Sequence, residues 1–493
     1  MAEHSRRRFL TVAGSALAGA TLASGSAAGE SGESTRFVID LREVDRADVP
    51  GDVEIIHDLS RIDLLGARGD PDSVPGTAST TVDIEMHRHE TTGSAHHADG
   101  SVGAEGDDGP VAEEDEDEED ETATPSRRDL QWDKAVHELE ADVHEYTRGA
   151  GSRVAVIDSG VYDGHPDLAD VVNGELSRNF TTDSDDFRPN GAGDHGTHVA
   201  GIVAATNAAG GTSEGRDGDD EPTGVLGTAP ETDLLSLRVF SDTGGATFTD
   251  TVAAILYAAD VGCDAANLSL GYPVPYIDPE EYPELLTIAE YYERGVAYAR
   301  ERGTVVVNST GNDSLDMSPE DVLSLPTEVD GMFGVSATGP IGYLWDDDID
   351  DDIEAEEALE DLRRPTSYPA SYTNYGTGTD VSAAGGNYDP RFPENYFYDL
   401  VFSTIVEDDG ADPSPGYGWK GGTSMAAPQV AGAVALVRSM YPEASADEVE
   451  ALVRETADDL GETLHGSGHL DLEALVEATE EAADEFEDEE EAE

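Results

Sequence analysis

Cysteine is almost absent from this sequence. The 493 residues contain one cysteine, Cys263, which excludes an intrachain disulfide, a cysteine-cluster metal site and a lipid-anchoring cysteine after the leader. Beyond residue 28 no apolar run is long enough to cross a bilayer, so we expect no stable membrane span. The hydrophobic content of 38% is nevertheless enough for at least one large core.

Positive charge is scarce as well. Lysine occurs only at Lys134 and Lys420, and 27 Lys+Arg stand against 108 Asp+Glu, which gives a formal net charge of -81. Such a chain is not a nucleic-acid binder that works through a basic surface. The acidic excess runs through the whole chain and not only through 113–121 and 484–491. Because molar salt shortens the Debye length to about 3 Å and removes most self-repulsion, the composition favours a salt-adapted host over an acidic tail on an ordinary protein.

The first 28 residues have the pattern of a targeting segment. The string SRRRFL at 5–10 precedes an apolar run of small residues, with a cleavage pattern near residue 28. Paired arginines ahead of such a run predict that 1–28 is a twin-arginine-type signal peptide, with an ordinary secretory signal as the alternative. Either interpretation predicts a secreted, extracellular mature protein.

Composition divides the remaining chain into four parts. Residues 29–97 hold short strand-like runs broken by proline and glycine, which predict a small α+β unit. Residues 98–128 form a low-complexity acidic linker that we expect to be disordered. The large unit spans 129–475, and 476–493 form an acidic tail, either helical or disordered.

The large unit alternates short β-branched runs with helix-like segments. The strand candidates are 153–158, 233–239, 264–270, 303–310 and 332–337, and helices are expected to start near residues 198, 249, 285, 424 and 446. Strands that alternate with helices predict a doubly wound α/β fold, in which a mainly parallel sheet carries helices on both faces.

Three polar residues stand where such a sheet places its functional site. Asp158 closes the first strand candidate, His195 lies in GDHGTHVAG at a helix start, and Ser424 lies in GGTSMAAP, where a glycine-rich turn leads into a helix. Each has an alternative taken alone: Asp158 and Ser424 as caps, and His195 as a cap or a packed core residue.

The strings around these residues resemble a known family. DSGV…HPDL, HGTHVAG and GTSMAAP are similar to the three signature segments of the subtilisin-like serine proteases, the subtilases, and their order Asp, His, Ser is that of subtilisin. The resemblance covers about 131–475. With the leader and the acidic surface, the chain is similar to the exported subtilases of halophilic microbes.

The resemblance implies an exported serine endopeptidase. Ser424 would be the nucleophile, His195 the general base and then acid, and Asp158 the group that orients the imidazole. Asn312 in VVVNSTGNDS aligns with the family's oxyanion asparagine, assisted by the Ser424 backbone N–H.

The resemblance also implies how substrate binds. Protein and peptide substrates would lie as an extended strand between Ser269-Leu270-Gly271, which resembles the primary-pocket strand, and Gly244-Gly245, which resembles the opposite substrate-binding loop. The alternative for these glycines is an ordinary turn.

No cofactor is implied for the chemistry, but a structural calcium ion is. Asp167 matches a position that binds calcium in many subtilases, with Gln131 and the loop 218–227 as partners, although a lone aspartate in so acidic a chain is also a typical solvated residue. By position, 29–97 would be a pro-segment that serves as inhibitor or chaperone. We expect it to be removed by cutting in or just after the linker, before Gln131.

Two rival functions stay open at this stage. A catalytically silent subtilase-like protein would bind peptides without cutting them, but it should lack at least one of Asp158, His195, Asn312 and Ser424, and all four are present. An esterase or transferase that uses the same triad would be separated by turnover of a protein substrate beside a simple ester.

Overall fold

The computed structural model describes residues 35–76, 80–88, 127–208, 224–242, 245–272, 282–319, 322–345, 355–389, 396–407 and 412–492. The predicted signal peptide at 1–28 and the acidic linker up to residue 126 lie outside these ranges.

The N-terminal part of the chain is an antiparallel sheet. Its strands are β1 (Thr35–Asp40), β2 (Glu54–Leu59), β3 (Leu64–Gly69) and β4 (Thr80–Val82), in the order β2-β3-β1-β4, and β5 (Glu85–Arg88) follows outside it. Alternate residues of β1 face opposite ways, because Phe37 and Ile39 join a small local cluster whereas Val38 joins the core of the large unit. The sheet, called the N-terminal sheet below, therefore relies on the large unit to cover one of its faces.

Seven parallel strands form the central sheet of the large unit, in the order β14-β13-β12-β10-β6-β8-β7. Strands β15 and β16 pair as a separate antiparallel hairpin. The strands after β5 are β6 (Arg153–Asp158), β7 (Arg178–Asn179), β8 (Asp233–Arg238), β9 (Ala246–Thr247), β10 (Ala265–Leu268), β11 (Leu270–Gly271), β12 (Val305–Ser309), β13 (Phe333–Thr338), β14 (Val381–Ala384), β15 (Val401–Glu407) and β16 (Ser414–Lys420).

Helices cover both faces of this sheet. Val154 and Val156 pack with α3, α7, α8 and α10 on one face, and Ala155 and Ile157 pack with α4 and α5 on the other. The doubly wound α/β prediction is confirmed. The helices are α1 (Trp132–Ala135), α2 (His144–Tyr146), α3 (His195–Ala204), α4 (Phe248–Asp260), α5 (Pro283–Arg300), α6 (Ala355–Glu360), α7 (Thr423–Met440), α8 (Ala446–Glu455), α9 (Glu462–His465) and α10 (Leu472–Ala492).

The chain after residue 475 continues a helix that begins in the core. Leu475 and Val476 of α10 are buried, and the Phe486 ring lies 5.5 Å from the ring of Tyr441. The predicted boundary between 475 and 476 thus falls inside one helix, whose apolar side packs on the large unit. Among the helices of the described residues, none is long and apolar enough to cross a membrane.

Candidate active site

The three polar residues singled out in the sequence lie on three different elements. Asp158 is the last residue of β6, inside the central sheet, and His195 is the first residue of α3. Ser424 is the second residue of α7, which packs against α3 and against β10, β12 and β13. The carboxyl ends of parallel strands and the starts of the following helices share one edge of such a sheet, so these residues belong to the same edge.

Asp158 and His195 form a hydrogen-bonded pair. The His195 Nδ1 lies 2.9 Å from Asp158 Oδ2 and 3.0 Å from Oδ1, and the Ser159 N–H donates to Oδ1 at 2.6 Å. Asp158 is fully buried, which by itself would raise the pKa of its carboxyl. The charge and hydrogen bond of His195, the Ser159 N–H and the charge of Arg88 outweigh burial and hold that pKa below its ordinary value. The carboxylate therefore stays ionised beside the imidazole.

Two glycines allow α3 to start this close to β6. Gly160 has a φ of 100°, in the left-handed region that favours glycine. A Cβ on Gly196 would overlap the Gly160 carbonyl oxygen and lie 3.2 Å from Asp158 Cβ. The glycine after His195 is thus required for the helix to bring the imidazole to Asp158.

Ser424 is buried at the start of α7. Only 1% of the residue is exposed. Its buried Oγ makes no hydrogen bond to any residue in the described part of the chain. The hydrogen bond from Ser424 to His195 that a general base needs is therefore not formed in this structure, and catalytic hydrogen bonds of this kind often tighten only in the complex with substrate. As the second residue of a helix, Ser424 also presents an N–H that has no partner within the helix.

Asn312 follows β12 and is held by the residue before Ser424. Its Oδ1 accepts hydrogen bonds from the N–H and from the Oγ1 of Thr423, both at 2.9 Å. A Cβ on Gly422 would lie 3.2 Å from Asn312 Nδ2, so the amide nitrogen faces the turn that leads into Ser424. Thr423 was not singled out in the sequence, although its place directly before Ser424 in GTSMAAP was a usable signal.

The predicted substrate strands form the two edges of a groove. Leu270-Gly271 is β11, Ser269 Oγ donates to the Ser424 carbonyl at 3.3 Å, and Gly245 lies next to β9 on the opposite side. Gly244 lies outside the described residues. The groove therefore runs between β9 and β11 and reaches the start of α7.

The chain's own segment 85–88 lies in this groove. Strand β5 pairs antiparallel with β11, with Arg88 opposite Leu270 and His87 opposite Gly271. It also pairs antiparallel with β9, with Glu85 opposite Thr247 and Met86 opposite Ala246, so the three strands form one sheet in the order β11-β5-β9. The sequence does not predict this placement, because the strand-like pattern of residues 81–86 indicates a strand but not its partners.

Asp167 is a hydrogen-bond acceptor for three protein donors. Its Oδ1 accepts from the Ala208 N–H at 2.6 Å, and its Oδ2 accepts from the Val225 N–H at 2.9 Å and from the Tyr417 hydroxyl at 2.8 Å. The carboxylate is fully buried and joins β16 to the segments on either side of 209–223, which lie outside the described residues. It is not the solvated surface residue considered as the alternative.

Gln131, the other predicted calcium residue, is engaged in the same way. Its Oε1 accepts from the Leu226 N–H at 2.9 Å and from Arg128 Nη1 at 2.8 Å, and its Nε2 donates to the Leu226 carbonyl. Within the described ranges no group of three or more His, Cys, Asp or Glu residues is arranged to hold a metal ion. Asp167 and Gln131 thus belong to a hydrogen-bonded junction around residues 208 and 225–226, and their role as calcium residues stays a prediction, because most of the loop 218–227 lies outside the described residues.

Comparisons with known proteins identify the family of this chain. Residues 149–472 match the model of the subtilase family. The chain is 32% identical over 321 residues to the thermophilic serine proteinase of Bacillus sp. (strain AK1), which covers 65% of this chain and 60% of that relative. It is 30% identical over 365 residues to the alkaline protease of Alkalihalobacillus alcalophilus, which covers 73% of each.

Among solved structures, the epidermin leader peptide processing serine protease of Staphylococcus aureus aligns with a TM-score of 0.61 over 90% of this chain and 98% of that chain. At 17% identity this likeness shows the fold alone. The family match covers well over half of the chain and contains Asp158, His195, Asn312 and Ser424. The chain therefore belongs to the subtilase family and is a serine-type endopeptidase.

Proposed function

We propose that this enzyme hydrolyses peptide bonds through Asp158, His195 and Ser424, with an acyl-enzyme intermediate. The observation that carries the proposal is the hydrogen-bonded Asp158–His195 pair beside a groove that holds an extended segment of chain. A silent peptide-binding protein would need the groove but would have no use for a buried ionised carboxylate paired with a histidine.

The proton path follows from the hydrogen bonds. Because His195 Nδ1 is bound to Asp158, Nε2 is the nitrogen that takes the Ser424 proton as Oγ attacks the substrate carbonyl. His195 then gives this proton to the leaving amine, which breaks the peptide bond and leaves the acyl group on Ser424. Water, activated by His195 in the same way, releases the acid and restores the hydroxyl.

The negative charge on the tetrahedral intermediate needs fixed donors. Asn312 Nδ2 and the Ser424 N–H fill this role, because Thr423 holds the other side of the Asn312 amide in place. Donors fixed before the reaction cost no reorganisation when charge develops, and loss of one typically lowers kcat by about 10²–10³-fold.

Residues 29–97 serve as a pro-segment in this proposal. Strand β5 fills the groove from β9 to β11, so substrate and pro-segment exclude each other. We expect this segment to be removed by cutting in or just after the linker, before Gln131, because a low-complexity acidic backbone is exposed enough to enter a protease cleft. N-terminal sequencing and intact mass of the mature enzyme would locate the cut, and a mature form that begins near Glu30 would contradict removal of the pro-segment.

The decisive experiment compares two serine variants of the processed enzyme. Ser424→Ala should lose casein hydrolysis and labelling by a fluorophosphonate, because it removes the nucleophile. The control Ser336→Ala removes an equally buried hydroxyl in β13 and should keep both. Asn312→Ala should keep labelling at a reduced rate and lower kcat with little change in KM. Labelled, active Ser424→Ala would refute the assignment, and a labelled wild type that cuts esters but no protein would favour the esterase.

Export and salt adaptation complete the proposal. The leader at 1–28 supports export by the twin-arginine pathway, and cell fractionation of Arg6→Lys with Arg7→Lys should find the protein retained inside. The formal charge of -81 supports a fold that needs screening, so the melting temperature of Ser424→Ala should rise steeply from low to molar NaCl. The melting temperature of a chain without residues 1–126 should rise with NaCl in the same way. A melting temperature of this shorter chain that does not change with NaCl would show that the salt dependence comes from the removed segments.

A further inference from the structure

The Arg88 side chain enters a small site beside the catalytic pair. Its guanidinium carbon lies 5.6 Å from the centroid of the Phe240 ring, and its Nη1 donates to the Ala192 carbonyl at 3.3 Å. Nη1 also lies 2.7 Å from where a Cβ on Gly193 would be, so the absence of a side chain there makes room for the cation. The backbone of Arg88 is meanwhile fixed opposite Leu270.

Each wall of this site favours positive charge. An aromatic face attracts a cation within about 6 Å of its centroid. A carbonyl oxygen accepts the N–H of a guanidinium, and the ionised Asp158 carboxylate is close enough to interact electrostatically with Arg88. The site thus offers a π face, an acceptor and a nearby negative charge to one side chain.

The site is built without the help of Arg88. The Phe240 carbonyl accepts a hydrogen bond from Arg238 Nε at 2.9 Å. Arg238 is itself buried and pairs with Asp183 at 2.7 Å, and the Asp242 N–H donates to the same carboxylate oxygen. The segment that carries the Phe240 ring is therefore held in place by the large unit whatever occupies the groove.

The neighbouring residues of β5 differ from Arg88 in their surroundings. Met86, two residues earlier, is fully buried in the apolar cluster that also contains Phe240 and Leu270. His87, between them, is exposed. The two enclosed positions of the groove are therefore those of Met86 and Arg88. A substrate strand fills both when it has an apolar residue, then any residue, and then arginine.

We propose that this enzyme selects substrates with arginine at the residue that pairs with Leu270, and that Phe240 is the residue that determines this specificity. The inference rests on the proposed function and adds the class of peptide cut. It differs from general attraction of cations by the acidic surface, because that attraction would not depend on which substrate position carries the arginine.

The test uses processed enzyme and three peptides that copy residues 81–97. The first keeps Arg88, the second carries leucine at that position, and the third exchanges residues 87 and 88, so that it has the same composition and charge as the first. The first should be cut with a kcat/KM roughly three- to tenfold above the other two, the range expected for a partly desolvated cation on an aromatic ring. Mass spectrometry identifies the bond that is cut.

Phe240→Leu should remove this preference. The ratio of its kcat/KM values for the Arg88 peptide and the leucine peptide should fall to about one, whatever the substitution does to the rate for both, because only the arginine side chain uses the aromatic ring. Phe240→Tyr keeps the ring and should keep the preference, and fluorophosphonate labelling checks that each variant is folded. Equal rates for all three peptides with the wild type, or an undiminished preference in folded Phe240→Leu, would overturn the inference. If casein is still hydrolysed in either case, the proposed function stands. Failure to cut casein and every peptide would instead refute the proposed function.

Discussion

Two buried clusters of charge join separate segments of this chain, and they differ in their surroundings. The core cluster consists of Lys134, Asp133, Gln429 and Thr228, and joins the segment around α1 to the central helix α7. The boundary cluster consists of Arg36, Asp83, Asp250 and His57, and joins the N-terminal sheet to the start of α4. Side-chain exposure is 1% for Lys134 and 18% for Arg36.

The difference in burial matches the location of each cluster, because the core cluster lies inside the large unit and the boundary cluster lies between that unit and the N-terminal sheet. In the core cluster, Gln429 donates to Asp133 at 2.8 Å and accepts from Lys134, so the amide links the two charges inside one unit. In the boundary cluster, Arg36 donates to Asp83 at 2.9 Å and to Asp250 at 2.6 Å while keeping some contact with water. Charges near water are more easily hydrated when two surfaces separate, so the boundary is the junction that opens at lower cost.

Among these variants, removal of the cation from the core cluster should lower the free energy of unfolding most. Lys134→Ala leaves the Asp133 carboxylate buried without its cation, so we expect a loss of about 3–5 kcal/mol in the free energy of unfolding, measured by denaturant titration in the Ser424→Ala background. The double variant Lys134→Met with Asp133→Asn removes both charges and should be less destabilised than the single variant. Equal losses would show that packing, and not charge, is what Lys134 contributes.

Breaking the boundary cluster should open the N-terminal sheet and spare the large unit. Arg36→Leu leaves Asp83 and Asp250 facing each other, and because Arg36 keeps some exposure we expect a smaller loss of roughly 1–3 kcal/mol. Hydrogen exchange in the full chain with Ser424→Ala should become faster in β1 and β3 and stay unchanged in β6 and β10. Uniformly faster exchange would mean that the two units unfold together and that the comparison fails.

Acid should destabilise the large unit by protonating His469, which is buried beside His137. Burial, with the charge of His465, lowers the pKa of His469 to about 4, and the His469 ring stacks on that of His137 at 6.5 Å. An unfolded histidine binds its proton near pH 6.5, so the stability that neutral, buried His469 contributes is complete above pH 6.5 and is lost as the pH falls towards 4, by at most about 3 kcal/mol. His469→Gln does not titrate, and its unfolding free energy should fall less over that range; parallel curves would exclude His469 as the source.

The smallest effect should come from an exposed pair that crosses the same boundary. Arg42 lies 3.4 Å from Glu290 of α5, and both side chains are about half exposed. Exposed pairs contribute little, so Arg42→Gln should change stability by no more than about 0.5 kcal/mol and leave exchange in β1 unchanged. An effect as large as that of Arg36→Leu would show that location at the boundary matters more than burial.

The sequence by itself determined the elements and the catalytic candidates. Strand β6 has the predicted limits 153–158 and α8 starts at the predicted residue 446, because local apolar patterns and caps set these boundaries. Helix α3 begins at His195, three residues before the expected start, because its polar first turn carries no apolar periodicity. Asp158, His195 and Ser424 were recognisable because each lies within a short string whose residues act together.

Only the tertiary structure decided which distant segments meet. The pattern of 85–88 indicates a strand, but its place between β9 and β11 depends on backbone hydrogen bonds to segments far along the chain. In the same way, the sequence is compatible with Asp167 as a calcium residue or as a solvated one, and the fold surrounds its carboxylate with two N–H groups and the Tyr417 hydroxyl. The physical reason is common to both: a backbone N–H or an unpaired strand edge looks the same in every sequence, and only the packed chain determines which group it faces.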